Sequence, residues 1–179
     1  MYKFNEPSNY RFNEDDILEG TQMFLESNST PKGEQYDWDS SAWTSDGKYV
    51  AYVTKSKGSD WKTIRIKDLE TMKDFENDVL TKVKFSMPLW DTDNKGFFYA
   101  RYDDAVDDGS KTDKVGPNRV YYHKIDTKQS DDILIYENPG EPDASFSVYK
   151  TQDDKYLVLT TKRSTEETCL KHFVDMSSI

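Results

Sequence analysis

Four small groups of residues in this 179-residue chain carry side chains that could do chemistry. Cys169 and His172 stand three apart and are the types of a thiol–imidazole pair, in which the ring takes the thiol proton. The stretch around them reads as a strand, and in a strand an odd offset turns two side chains to opposite faces, so they share no proton. Asp91-Thr-Asp93-Asn-Lys95-Gly96 opens like a calcium loop of the Asp-x-Asp-x-Asp-Gly type. Its fifth position is the cation Lys95 and its twelfth is Tyr102, where a bidentate Glu belongs, so a hairpin turn is the better reading. Acidic residues gather again at Asp103, Asp104, Asp107 and Asp108 among Gly, Ser and Lys. Such a cluster attracts a divalent ion only weakly, and a segment this polar up to Pro117 reads as a solvated surface loop. His123 follows Tyr121 and Tyr122 in a strand-like run and reads as a packing residue. No Gly-rich phosphate loop, Gly-x-Ser-x-Gly elbow or nucleophile–base pair completes the set. The sequence therefore assigns this chain no catalytic residue, no metal ligand and no cofactor, and it does not read as a self-sufficient enzyme.

The elements that would carry these residues come from a pattern used three times. Trp43-Thr-Ser-Asp46-Gly47-Lys48-Tyr-Val-Ala-Tyr52, Trp90-Asp-Thr-Asp93-Asn94-Lys95-Gly-Phe-Phe-Tyr99 and Lys150-Thr-Gln-Asp153-Asp154-Lys155-Tyr-Leu-Val-Leu159 each join a polar turn to a short apolar strand. Asp, Gly and Asn tolerate the left-handed backbone of a tight hairpin, and the β-branched and aromatic residues after them suit a pleated surface. Strand-built repeats of roughly 40–50 residues are the signature of propeller blades. A closed ring takes about 4–8 blades, so the expected fold is all-β: a partial β-propeller of about three four-stranded blades, its ring incomplete.

Residues 1–20 read as a lead-in or the remnant of a preceding blade, and 21–179 as the partial propeller, with blades at about 36–80, 84–136 and 145–179. Thr21–Glu26 is a strand candidate ahead of a loop. In the first blade the expected strands are Ser40–Trp43, Tyr49–Thr54, Trp61–Lys67 and Asp78–Val83. Leu69, Met72, Phe75, Val79 and Val83 approximate helical spacing, but the blade period favours an outer strand there. The second blade has Phe85–Trp90, Gly96–Tyr102, Arg119–Asp126 and Asp132–Tyr136. The third has Val148, Tyr156–Thr160 and Leu170–Val174.

Composition narrows the partners. A net charge of −10 argues against nucleic acid, whose binding depends on clustered Lys and Arg. No apolar run approaches the roughly 18 residues of a membrane span, and Met1 is followed by no apolar leader segment, so no membrane partner is expected. The single cysteine suits a reducing compartment, and cytoplasmic localisation is the expectation.

Four segments carry more identity than propeller turns require. They are Gly58-Ser59-Asp60-Trp61, Val83-Lys84-Phe85-Ser86 followed by Trp90, Asp93 and Lys95, Tyr121-Tyr122-His123, and Ser130-Asp131-Asp132-Ile133-Leu134. In this order, over roughly Glu14 to Val174, the chain resembles the amino-terminal β-propeller of the prolyl oligopeptidase family. The resemblance implies a seven-bladed propeller capping an α/β-hydrolase domain with a Ser-Asp-His triad. It also implies cleavage of short proline-containing peptides after proline, with the propeller restricting access to small peptides. The hydrolase domain would be the partner, and none of its triad lies in this chain, which alone is expected to be inactive.

Phe85 matches a family aromatic that protrudes toward substrate. Sheet packing is the equal alternative, since Val83 and Phe85 would share a strand face. Asp60 and Trp61 match a loop on the side facing the hydrolase, although turn formation and core packing are the simpler roles. Tyr2 to Asn13 match the family poorly, which is expected of a truncated product or a portion of a longer enzyme. The rival function is a non-catalytic interaction propeller that completes its ring by oligomerising.

Overall fold

The computed structural model describes residues 36–56, 59–103, 118–141, 144–163 and 169–178. The expected lead-in at 1–20, the strand candidate Thr21–Glu26 and all of the acidic loop beyond Asp103 lie outside the described residues. The described chain folds into three antiparallel sheets. The first contains β1 (Tyr36–Trp43), β2 (Tyr49–Ser56), β3 (Lys62–Asp68) and β4 (Lys73–Val83), in that spatial order. The second contains β5 (Leu89–Trp90), β6 (Gly96–Arg101), β7 (Arg119–Lys124) and β8 (Ile133–Tyr136), again in sequence order. The third contains β9 (Ala144–Lys150), β10 (Tyr156–Arg163) and β11 (Cys169–Asp175). Three successive meanders packed face to face make a partial β-propeller, the all-β architecture that the repeat implies.

The repeated turns form for the local reason that their sequence suggests. Gly47 (φ 70°), Asn94 (φ 58°) and Asp154 (φ 55°) occupy the left-handed position of their respective hairpins. In the first turn, Asp46 Oδ1 and Thr44 Oγ1 both accept from the Lys48 amide at 3.1 Å. In the second, Asp91 Oδ1 accepts from the Lys95 amide at 3.0 Å. In the third, Asp153 Oδ1 accepts from the Lys155 amide at 3.3 Å. Each aspartate thus closes a turn and delivers the chain into the next strand.

Packing is organised by the two faces of β6. Phe97 and Tyr99 join Trp90 and Tyr121 against Ala51, Val53, Ile64, Ile66, Leu80 and Val83 of the first sheet. Ala100 faces the other way, with Val120, onto Ala144, Phe146 and Leu159 of the third sheet. Residues Gly96–Ala100 are therefore all buried, and the period-two alternation of a half-exposed strand is lost. Each large apolar side chain buried here contributes roughly 2–3 kcal/mol.

Two local expectations are corrected. The segment with helical spacing is strand from Lys73 to Val83, longer than Asp78–Val83, because pairing with β3 supplies its backbone bonds across two register shifts. The inner strand of the second sheet shrinks from Phe85–Trp90 to Leu89–Trp90. Phe85 lies beyond β4 with φ 45°, so it does not share a strand face with buried Val83. Alternation stops where the chain swings left-handed to leave the outer strand of one sheet and reach the inner strand of the next.

Candidate functional site

Because the strands run up and down in order, the β2–β3, β4–β5 and β6–β7 connections emerge at one end of the sheets. The repeated aspartate turns and the β7–β8 turn lie at the other. The first end therefore gathers Asp60 and Trp61, Lys84 to Met87, and Tyr102 with Asp103 into one rim, and it is here that the residues singled out by sequence come together.

Phe85 stands out on this rim, with 75% of its surface exposed in a left-handed backbone that L-residues seldom adopt. Its neighbours fix it on both sides. Ser86 is buried, and its Oγ accepts from the Ala100 amide of β6 at 2.8 Å. Lys84 places its ammonium 4.5 Å from the centroid of the Trp61 ring, a cation–π contact. Trp61 in turn meets Tyr102 edge-on at 6.0 Å. Asp60 is exposed beside it, and the Trp61 amide donates to Ser59 Oγ at 3.0 Å, which shapes the turn. Met87 adds a second exposed apolar side chain.

A charged cluster braces the rim next to these aromatics. Asp103 Oδ1 accepts from Arg101 Nε at 2.6 Å, and its Oδ2 accepts from Arg119 at 3.1 Å and from the Tyr121 hydroxyl. The Arg101 guanidinium lies 3.8 Å from the Tyr121 ring centroid. Burial pushes the Asp103 carboxyl up, but the Tyr121 hydroxyl and the two arginines outweigh it and hold its pKa below the ordinary aspartate value. The same burial and the same carboxylate push the Tyr121 hydroxyl up. Lys82 Nζ donates to the Asp103 carbonyl at 2.7 Å, and the Tyr102 amide donates to the Lys82 carbonyl at 3.0 Å. The rim is thus tied across both sheets.

The remaining candidates fall elsewhere. Asp91 is engaged by the Lys95 amide and by the Tyr122 hydroxyl at 2.7 Å, and Asp93 pairs with Lys95 Nζ at 3.0 Å. Among the described residues, no three His, Cys, Asp or Glu side chains are grouped to hold a metal ion. Cys169 and His172 lie on β11 opposite Lys162 and Leu159, both exposed, at the odd offset that separates their faces.

His123 is more than a packing residue. It is fully buried and lies 5.4 Å from Phe97, ring centroid to centroid, but its two ring nitrogens sit 2.6 Å from Asp78 and 2.7 Å from Asp132. Sequence reasoning missed this role. The available signal was a titratable residue at an inward strand position, followed by a turn with paired aspartates.

The sequence model of the family described as "Prolyl oligopeptidase, N-terminal beta-propeller domain" matches residues 5–178. The chain is 36% identical over 145 residues to prolyl oligopeptidase A of Amanita bisporigera, covering 73% of this chain and 19% of that protein. It is also 36% identical over 145 residues to the prolyl endopeptidase of Elizabethkingia miricola, covering 81% of this chain and 20% of that protein. Among solved structures it resembles prolyl oligopeptidase B from Galerina marginata, bound to a 35mer hydrolysis and macrocyclization substrate. That match has a TM-score of 0.72 at 25% identity, over 82% of this chain and 22% of that one. The chain thus spans about a fifth of the length of the curated relatives it matches.

Proposed function

This chain belongs to the prolyl oligopeptidase family, matching its N-terminal β-propeller domain, and from that premise we propose that it is part of a substrate-gating propeller in a serine-type endopeptidase. The enzyme would cleave short peptides on the carboxyl side of proline. The bond-breaking step falls to an α/β-hydrolase domain outside this chain. The propeller admits or excludes the peptide, and its rim lines part of the path. Exposed Leu170 and Phe173 on β11, at 57% and 64%, are surface that the rest of the propeller would cover. The exposed Cys169 thiol fits a reducing, cytoplasmic setting.

The posture of Phe85 carries this reading. A large aromatic held outward by a left-handed backbone costs conformational energy and hydrates apolar surface, a combination that suits a residue kept for contact with a ligand. Asp60 and Trp61 on the same rim would form part of the face toward the hydrolase domain.

The test is Phe85→Ala in the complete enzyme. A subsite aromatic contributes about 1–2 kcal/mol by covering the peptide, so kcat/KM should fall roughly tenfold, mainly through KM. A variant with unchanged KM would sink the subsite reading.

A further inference from the structure

The seam between the first and second sheets is held at one buried point by an imidazole between two carboxylates. His123 Nε2, on β7, lies 2.6 Å from Asp78 Oδ1 on β4 of the neighbouring sheet. Its Nδ1 lies 2.7 Å from Oδ1 of Asp132, in the turn before β8. All three side chains are shielded from solvent. From β6, Arg101 at 2.8 Å and the Tyr99 hydroxyl at 2.5 Å both donate to the other oxygen of Asp132. From the β7–β8 turn, the Asp126 amide donates to both oxygens of Asp78 at 3.1 Å, while the Asp126 carboxylate accepts from Asn77 of β4. Gln129 of the same turn bridges Thr81 of β4 and the Tyr99 hydroxyl.

A carboxylate oxygen only accepts, so an imidazole facing one at each nitrogen must donate from both, and only the imidazolium has two N–H groups. Arg101 donates to both Asp132 and Asp103, so a protonated His123 ring supplies the positive charge that faces Asp78. We propose that His123 is a proton-dependent clasp between the first two sheets. Loss of its proton leaves a nitrogen lone pair against an aspartate oxygen in a solvent-shielded seam, and β4 loosens from β7.

The direction with pH follows. Burial works against the charged ring, but the hydrogen bonds to Asp132 and Asp78 outweigh it and raise its pKa above the ordinary histidine value. The clasp is therefore fully formed below the ordinary value of about 6.5, and its contribution is lost as pH rises through the raised value. Between the two, opening of the seam increases about tenfold per pH unit.

Nitrogen-15 spectra of the full chain labelled at histidine test this, with His172→Gln assigning the two rings. The expected result is a His123 ring that stays protonated at both nitrogens above its ordinary midpoint of about 6.5. Exchange of the Asp126 amide, corrected for its intrinsic pH dependence, should accelerate over the same interval. Asp78→Asn should lower the midpoint and remove that acceleration, and if this variant does not fold, the unmodified chain decides alone. A His123 ring that is a neutral tautomer at pH 7, or that titrates at the ordinary value, overturns the proposal. So does Asp126 exchange that is indifferent to the titration.

Discussion

Gly96 and His123 approach so closely that a methyl group on the Gly96 Cα would lie 2.2 Å from the His123 carbonyl oxygen. The contact is between adjacent strands β6 and β7, where the two residues sit one register step apart. The obstructing atom belongs to backbone and cannot swing aside. The Tyr122 ring crowds the same space, with its nearest atoms at 2.6 Å. Gly96→Ala should therefore destabilise the chain by about 3 kcal/mol, at the upper end of overpacking costs. Chemical denaturation would show a lowered midpoint, and Tyr122→Ala in the same chain should not restore it. A variant within about 0.5 kcal/mol of the parent would contradict this packing.

Ser86, between β4 and β5, makes a second prediction. Its hydroxyl oxygen is the acceptor for the buried Ala100 amide. Ser86→Ala removes that acceptor where water does not easily replace it, at a cost of about 1–3 kcal/mol. If the serine also holds the Phe85 turn in place, proteolysis at Lys84 should quicken in the variant beyond what its global stability explains. Equal denaturation midpoints for the two proteins would refute the role.

The rim cluster around Asp103 should appear at acid pH. The Asp103 pKa is lowered, so the stability from its pairing with Tyr121, Arg101 and Arg119 is present above the ordinary aspartate value of about 3.9. It is lost as pH falls through the lowered value. Asp39 is lowered too, through its 2.6 Å bond with Lys62, and adds to the same loss. Asp103→Asn should reduce stability at neutral pH and flatten its decline below about pH 4. Parallel pH–stability curves for the two proteins would exclude a contribution from Asp103.

Local chemistry made much of this fold legible in the sequence. The left-handed positions of the three hairpins are Gly47, Asn94 and Asp154, the residue types that tolerate that backbone, and each turn names the strand after it. Partners distant in sequence left no such mark. Asp78 looks like a solvent-facing residue of an outer strand, yet it is buried because β7 of the next sheet brings His123 to it. The exit of the chain at Phe85 depends on where β5 docks, which no periodicity within β4 encodes. Helical spacing from Leu69 to Val83 was overridden by pairing with β3, as tertiary contacts override weak local preference. On the rim, the motifs around Trp61 and Phe85 were visible in sequence, whereas the bracing of Asp103 by Arg101, Arg119 and Tyr121 appears only once β6 and β7 are paired.

The burial of β6 on both faces has a consequence for how this chain can vary. Tyr99 is fitted to the first sheet and Ala100 to the third, although they are adjacent on one strand. A shift of the backbone that accommodates a new side chain on one face displaces the other, so tolerated changes here must come in pairs drawn from the two flanking sheets. Drift in this domain is therefore expected to be slow along β6, the template to which both neighbouring sheets must stay matched.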